Sequence, residues 1–211
     1  MVPTLETERL TLRAWRQADL DPFASYYADP ATAAFVGGTC SRNTAWHRMA
    51  AFAGHWSLRG YGFWALEEKS TGQFIGYSGL SFPEGWPEPE VGWDLLKTAQ
   101  GKGFATEASL RAREYGYSTI GFKTLISFID LRNVASRAVA ERMGAKYERT
   151  AMMTRPRPLA VQDPSFDAAC PYHMWSRDLL NLLPGGAQIT NGDFGEAEIL
   201  LLVEPVVAQL C

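Results

Sequence analysis

The chain has 211 residues with 20 Lys and Arg against 23 Asp and Glu, a net charge of −3, and is 46% hydrophobic and 20% charged. This is the composition of a globular protein with a sizeable core, and the absence of a basic excess argues against a nucleic-acid partner. No apolar run reaches the ~20 residues that span a bilayer, so no membrane partner is expected. The first residues lack a signal-peptide pattern. The three scattered cysteines fit reduced thiols, and a cytoplasmic location is the expectation.

In chain order, alternating Leu10, Leu12 and Ala14 predict a half-buried strand over residues 8–16. Asp19 is placed to cap the helix that follows. Ser41 is placed to cap a longer one, which Gly60 ends. "YGFWALEE" and "QFIGYSGLSF" predict strands joined by the hairpin turn "KSTG", and "EVGWDLL" predicts a third after the loop "PEGWPEPE". From residue 103 to 119 the period changes. Ala105, Ala108, Ala112 and Tyr115 recur at helical spacing, and Glu107 and Arg111 stand as an i,i+4 pair. "KTLISFIDL" predicts a strand buried on both faces, and residues 133–143 a helix that stops at Gly144. "AKYERTAMMT" and "YHMWSRDL" predict closing strands, separated by a long segment, "RPRPLAVQDPSFDAACP", of the kind that forms lids. Residues 1–180 are expected to form one domain and 181–211 an extension. Its apolar end, "EAEILLLVEPVVAQLC", could cover the sheet or join a homodimer.

The stretch "KTAQGKGFATEA" places glycines ahead of a helix. The first N–H groups of a helix lack internal partners and attract anions. A P-loop is excluded, because no Gly-Lys-Ser/Thr follows the first glycine. A dinucleotide fingerprint is disfavoured, because Thr106 occupies the third glycine position and the segment follows an antiparallel meander. The third reading is Gln100-x-x-Gly103-x-Ala105, which resembles the acetyl-coenzyme A loop of the GNAT acetyltransferase superfamily. "NVASRAVAERMGAK" resembles that family's second hallmark, through Asn133, Ser136, Val139, Glu141, Arg142, Met143 and Gly144. "EVGWDLL" and "ETERLTLRAWRQAD" resemble strands of its branch that acetylates ribosomal-protein N-termini. The resemblance covers about residues 5–179.

The resemblance implies an α/β GNAT fold: a mixed, mostly antiparallel sheet of about seven strands, helices on both faces, and a splay between the fourth and fifth strands. It implies an N-acetyltransferase using acetyl-CoA as co-substrate, with direct attack by a primary amine in a ternary complex. Backbone amides of Gly101, Lys102, Gly103, Phe104, Ala105 and Thr106 would hold the pyrophosphate, with Gln100 completing the motif. Asp94, Leu95 and Leu96 would supply a backbone edge to the pantetheine arm, and residues 127–130, ending at Asp130, the opposite wall. Asn133 would reach the same arm and Ser136 the sulfur, while Glu90 is the candidate base. Trp46, Trp56 and Trp86 are candidate linings of an acceptor cleft, with Tyr172 and His173 as weaker site candidates. His47 and His55 lack metal-binding partners, so no metal is expected. The acceptor is a small-molecule or protein amine. Another acyl-CoA donor, or a non-catalytic coenzyme A-binding sensor, is the alternative.

Overall fold

The computed structural model describes residues 1–152, 171–176 and 198–203, the last two segments as backbone strands. The predicted lid and the linker before the last strand lie outside the described residues.

The strands are β1 (Leu5–Glu6), β2 (Leu10–Arg13), β3 (Phe63–Glu68), β4 (Gln73–Ser81), β5 (Glu90–Leu95), β6 (Thr124–Ile126), β7 (Ile129–Asp130), β8 (Lys146–Met152), β9 (Pro171–Ser176) and β10 (Glu198–Val203). They form one mixed sheet in the order β1-β2-β3-β4-β5-β6-β10-β7-β9-β8. β3 to β5 are the expected antiparallel meander, which β2 and β1 extend in the same antiparallel sense. The count exceeds seven because β1 is an added short strand, Ser127 and Phe128 interrupt "KTLISFIDL", and the tail supplies β10. That tail strand pairs antiparallel with β6, Leu201 opposite Ile126 and Val203 opposite Thr124.

Helices cover both faces, as the two periodicities require. On one side lie α1 (Leu20–Ala28), α2 (Pro30–Ala33) and α3 (Arg42–Arg59). Phe23, Tyr27, Val36 and Met49 pack there against Ala65, Phe74 and Tyr77 of the sheet. On the other lie α4 (Phe104–Tyr115) and α5 (Val134–Arg142), packed on Leu10, Leu12, Trp64, Leu66, Leu80 and Val91. Ala108 and Ala112 are fully buried. Their small side chains bring α4 close enough for Ser109 Oγ to meet Ser78 Oγ at 2.9 Å. Ser41 caps α3 by accepting from Thr44 N at 3.2 Å, and Gly60 ends it at φ 77°.

Three local expectations are corrected. Asp19 precedes α1 but makes no side-chain cap bond. Its carboxylate instead binds the Arg13 guanidinium in a bidentate pair of 2.8 Å bonds and accepts from Arg16 N at 2.8 Å. Desolvated charge outweighs a cap, because both partners are almost wholly buried. Glu107 does not pair with Arg111. It turns across the fold to Arg9 at 2.6 Å, and Arg111 pairs with Glu114 at 3.0 Å. The helix expected to residue 119 stops being α at Tyr115 and continues as a π turn, Gly116–Ile120. A side chain at Gly116 would crowd Leu80 and Leu125 at 3.2 Å, so the turn presses directly on the core there.

A bulge decides which way the centre of the sheet points. Leu66 pairs with Gly76 but Glu67 with Phe74, leaving Ile75 as an extra residue. Alternation along β4 therefore changes phase. Phe74 and Tyr77 both reach the α1–α3 side, while Ile75 and Leu80 reach the α4 side.

Candidate active site

β5 and β6 run parallel but pair only at Glu90 and Ile126, and then diverge. This is the predicted splay between the strand before the glycine loop and the strand after the helix. Near its closed end two bonds bridge it: Ser127 Oγ donates to Val91 O at 2.6 Å, and Phe128 N donates to Glu90 Oε1 at 3.2 Å.

A cavity of about 1150 Å³ lies on the α4–α5 side and a smaller one of about 330 Å³ on the α1–α3 side. Both are bordered by Phe35, Val36, Trp93, Asp94, Asn133 and Ser136, so the two meet at the splay.

The larger cavity gathers most of the residues predicted to hold the coenzyme. Gln100, Gly101, Gly103, Phe104, Ala105 and Thr106 all border it. So do Asp94, Leu95, Asn133 and Ser136. Lys102 and Leu96 do not border it, and Asp130 borders the smaller cavity instead. Leu96 N donates to Ile75 O at 2.9 Å. Asp130 is buried, and its carboxylate takes Arg132 Nη2 at 2.7 Å and Arg132 N at 2.8 Å.

The loop geometry follows from its sequence. Ala99 is buried and anchors a short 3-10 turn, Lys97–Ala99, after which Gln100 Nε2 reaches back to Leu95 O at 3.0 Å. Gly101 and Gly103 have φ of 76° and 83°, the left-handed region that glycine enters without strain. Gly103 is the N-cap of α4 and no side chain caps the helix, so its first-turn amides lack a side-chain acceptor. Arg9, Lys97 and Arg142 border the same cavity, and Arg142 Nη1 lies 3.4 Å from Thr106 Oγ1. Uncapped donors at the positive end of a helix, flanked by cations, suit a diphosphate.

The brace behind the loop was not legible in the sequence. Arg9 Nη1 donates to Lys102 O at 2.9 Å and Arg9 Nε to Glu107 Oε2 at 2.7 Å, with its guanidinium 4.5 Å from the Phe104 ring centre. Thr7 Oγ1 donates to Glu107 Oε1 at 2.6 Å. No local pattern links positions 7 and 9 to position 107. Burial pushes the Glu107 carboxyl up, but the hydrogen bonds from Thr7 and Arg9 outweigh it and hold the group below its ordinary value of 4.5. A depressed carboxyl contributes stability above that value and loses it as pH falls through the folded value. The stability of the wild-type protein, followed by urea unfolding from pH 6 downward, is therefore expected to fall below about pH 4.5 more steeply than that of Glu107→Gln. Equal slopes would refute the brace.

At the start of α5, Asn133 Oδ1 accepts from Ser136 N at 3.0 Å, and Ser136 is half-buried. Glu90 borders the smaller cavity, where it accepts from Trp86 Nε1 at 2.9 Å as well as from Phe128 N. Trp86 lines that cavity as expected. Trp46 is 44% exposed, and Trp56 is buried with its Nε1 donating to Phe63 O at 3.0 Å. Neither borders either cavity, because the helical period of α3 turns one outward and the other into the core. The side chains of Tyr172 and His173 lie outside the described residues.

The Asp94 side chain has a role that no local pattern in the sequence signals, beyond the backbone edge expected of this residue. Tyr26 Oη donates to Asp94 Oδ1 at 2.9 Å, Tyr77 Oη donates to Oδ2, and the Tyr77 and Tyr27 hydroxyls meet at 3.0 Å. Burial raises Tyr77 well above its ordinary value of 10.0, and Asp94 adds to that; burial also raises Tyr27. Both phenols therefore stay protonated.

The chain is similar to known proteins. The family described as Acetyltransferase (GNAT) domain matches residues 9–146. An acetyltransferase structure from Agrobacterium tumefaciens is 31% identical, covers 82% of this chain and 93% of its own, and superposes with a TM-score of 0.68. The uncharacterized N-acetyltransferase p20 of Bacillus licheniformis is 29% identical over 136 residues, 63% of this chain and 76% of the relative. The ribosomal-protein-S5-alanine acetyltransferase of Vibrio fischeri, at 18% identity and a TM-score of 0.59, covers 72% of this chain and 87% of its own and shares the fold. With the splay, the glycine loop and the family match over most of its length, this chain belongs to the GNAT acetyltransferase family and is an acyltransferase.

Proposed function

We propose that the protein transfers an acetyl group from acetyl-CoA to a primary amine, which attacks directly in a ternary complex. The observation that carries this reading is the meeting of the two cavities at the splay, with Asp94 and Ser136 bordering both. The larger cavity has the volume and the phosphate-directed donors for the coenzyme. The main-chain amides from Gly101 to Thr106 would hold its diphosphate, with Lys97 and Arg142 adding charge, and Asn133 and the backbone of Asp94 and Leu95 would flank its arm. The coenzyme supplies an activated thioester.

In the transfer the amine nitrogen forms a bond to the acetyl carbon and the carbon–sulfur bond breaks. One proton leaves the amine and one is taken up by the thiolate, giving amide and free thiol. Ser136, which borders both cavities, would donate toward the sulfur. Glu90 stands on the acceptor face of β5, where its carboxylate can take the amine proton through water.

The test is thiol release from acetyl-CoA across an amine panel. Ser136→Ala is expected to lower kcat by about 100-fold, the low end for general acid assistance, with the coenzyme A dissociation constant unchanged. Coenzyme A binding without turnover of any amine would show a sensor rather than an enzyme.

A further inference from the structure

The smaller cavity is walled mainly by rings. Phe35, Phe52, Phe63, Trp86, Trp93 and Phe128 border it and are each only half-buried. Three of them define its shape. Phe63 lies across Gly92, where a side chain would come within 3.1 Å of the ring, so the glycine makes room for the phenyl group. Trp86 and Phe128 meet edge to face with centroids 5.5 Å apart, forming the wall beside Glu90.

The acids are distributed unevenly in this space. Glu90 holds the closed end of the splay through Trp86 and Phe128, and Asp130 is paired with Arg132. Arg48 is stacked 4.5 Å from the Tyr27 ring centre and donates to Val36 O at 3.0 Å. Asp94 is different in position. It stands where the two cavities join, and two tyrosine hydroxyls fix the direction of its carboxylate. The bulge in β4 sets this up, because it turns Tyr77 onto the face that Asp94 occupies.

An ammonium group is bound best where a carboxylate and the faces of aromatic rings converge. The cavity is also at the small end of the ~300–1,000 Å³ range of ligand sites. A long polyamine would need further acids along its path, whereas the two others in this cavity are engaged, Glu90 by Trp86 and Phe128 and Asp130 by Arg132.

We infer that the acceptor is a small arylalkyl amine, docked as its cation on the Asp94 carboxylate with its ring against Phe63, Trp86 and Phe128. This inference rests on the amine-transfer reading above and narrows it. Asp94 is the specificity residue for the cation, and the tyrosine pair positions it. The docked ammonium gives up one proton to solvent before its nitrogen attacks.

The experiment uses the full chain and acetyl-CoA with four acceptors: 2-phenylethylamine, n-butylamine, spermidine and a peptide with an N-terminal alanine. The value of kcat/KM for 2-phenylethylamine is expected to exceed that for n-butylamine by about 10-fold or more, from the buried ring. The neutral isostere 2-phenylethanol is expected not to compete. Asp94→Asn should lower kcat/KM for 2-phenylethylamine by about 30-fold, through KM for the amine rather than kcat, the scale of a hydrogen bond to a charged group. Phe63→Leu is an independent variant that should shrink the preference over n-butylamine, because kcat/KM for 2-phenylethylamine falls by the larger factor. Equal or faster turnover of spermidine or the peptide, competition by 2-phenylethanol, or an unchanged KM in Asp94→Asn would overturn this inference and leave amine transfer standing. No turnover with any of the four would overturn both.

Discussion

Asp19→Ala is expected to lower the free energy of unfolding by about 3–5 kcal/mol, the range for stripping one partner from a buried ion pair. Arg13 and Asp19 have side chains only 6% and 2% exposed. Their bidentate contact is part of a network in which Arg13 Nε also donates to Glu67 at 2.7 Å, and Arg16 joins Glu67 at 2.9 Å. Removing Asp19 takes two of the four hydrogen bonds from a guanidinium in the interior, and it releases Arg16 N, so the turn into α1 loosens as well. The double variant Arg13→Met with Asp19→Leu is expected to regain at least half of the loss, because no uncompensated charge then stays buried and Glu67 keeps Arg16. Urea unfolding of the three proteins measures this. A loss of less than about 1 kcal/mol in Asp19→Ala, the worth of an exposed pair, would mean that water reaches Arg13.

Gly103→Val is expected to weaken coenzyme A binding by about 100-fold or more while the fold persists. Valine at φ 83° is strained by about 1–3 kcal/mol, so the loop would swing out of the left-handed conformation. That swing moves the amides that open α4 and breaks the contact of Arg9 with Lys102 O. Each 1.4 kcal/mol is tenfold in affinity, so conformational strain and one lost charged hydrogen bond together reach about that figure. Gly103→Ala is the graded control. Its added carbon would sit 3.4 Å from Arg9 Nη2, an ordinary contact, so only the backbone strain remains and the loss should be about tenfold or less. Calorimetry with coenzyme A separates the cases. Undiminished affinity in Gly103→Val would show that the helix N-terminus does not hold the diphosphate.

The helices and strands were legible where one face is buried against a single layer. The period-2 alternation around Leu10 and Leu12 and the small-residue face of Ala108 and Ala112 each encode one burial direction, and the structure buries those residues. Caps were legible when the side chain had no stronger partner. Ser41 caps as expected, whereas Asp19, and Glu107 expected to pair with Arg111, were claimed by arginines distant in sequence or in another element. Local rules weigh a few tenths to about 1 kcal/mol, and a buried or cooperative ion pair outweighs them.

By itself, then, the sequence determined the glycine loop, the two helices beside it and part of the border of the larger cavity. Those features rest on backbone conformation and on contacts within a few positions, which residue order encodes directly. Tertiary structure alone decided how Arg9 braces that loop, which face of β5 borders the smaller cavity, and how Asp94 came to lie between Tyr26 and Tyr77. These depend on one extra residue in β4 and on segments up to 98 positions apart, distances over which pattern carries no information and only packing fixes the partner.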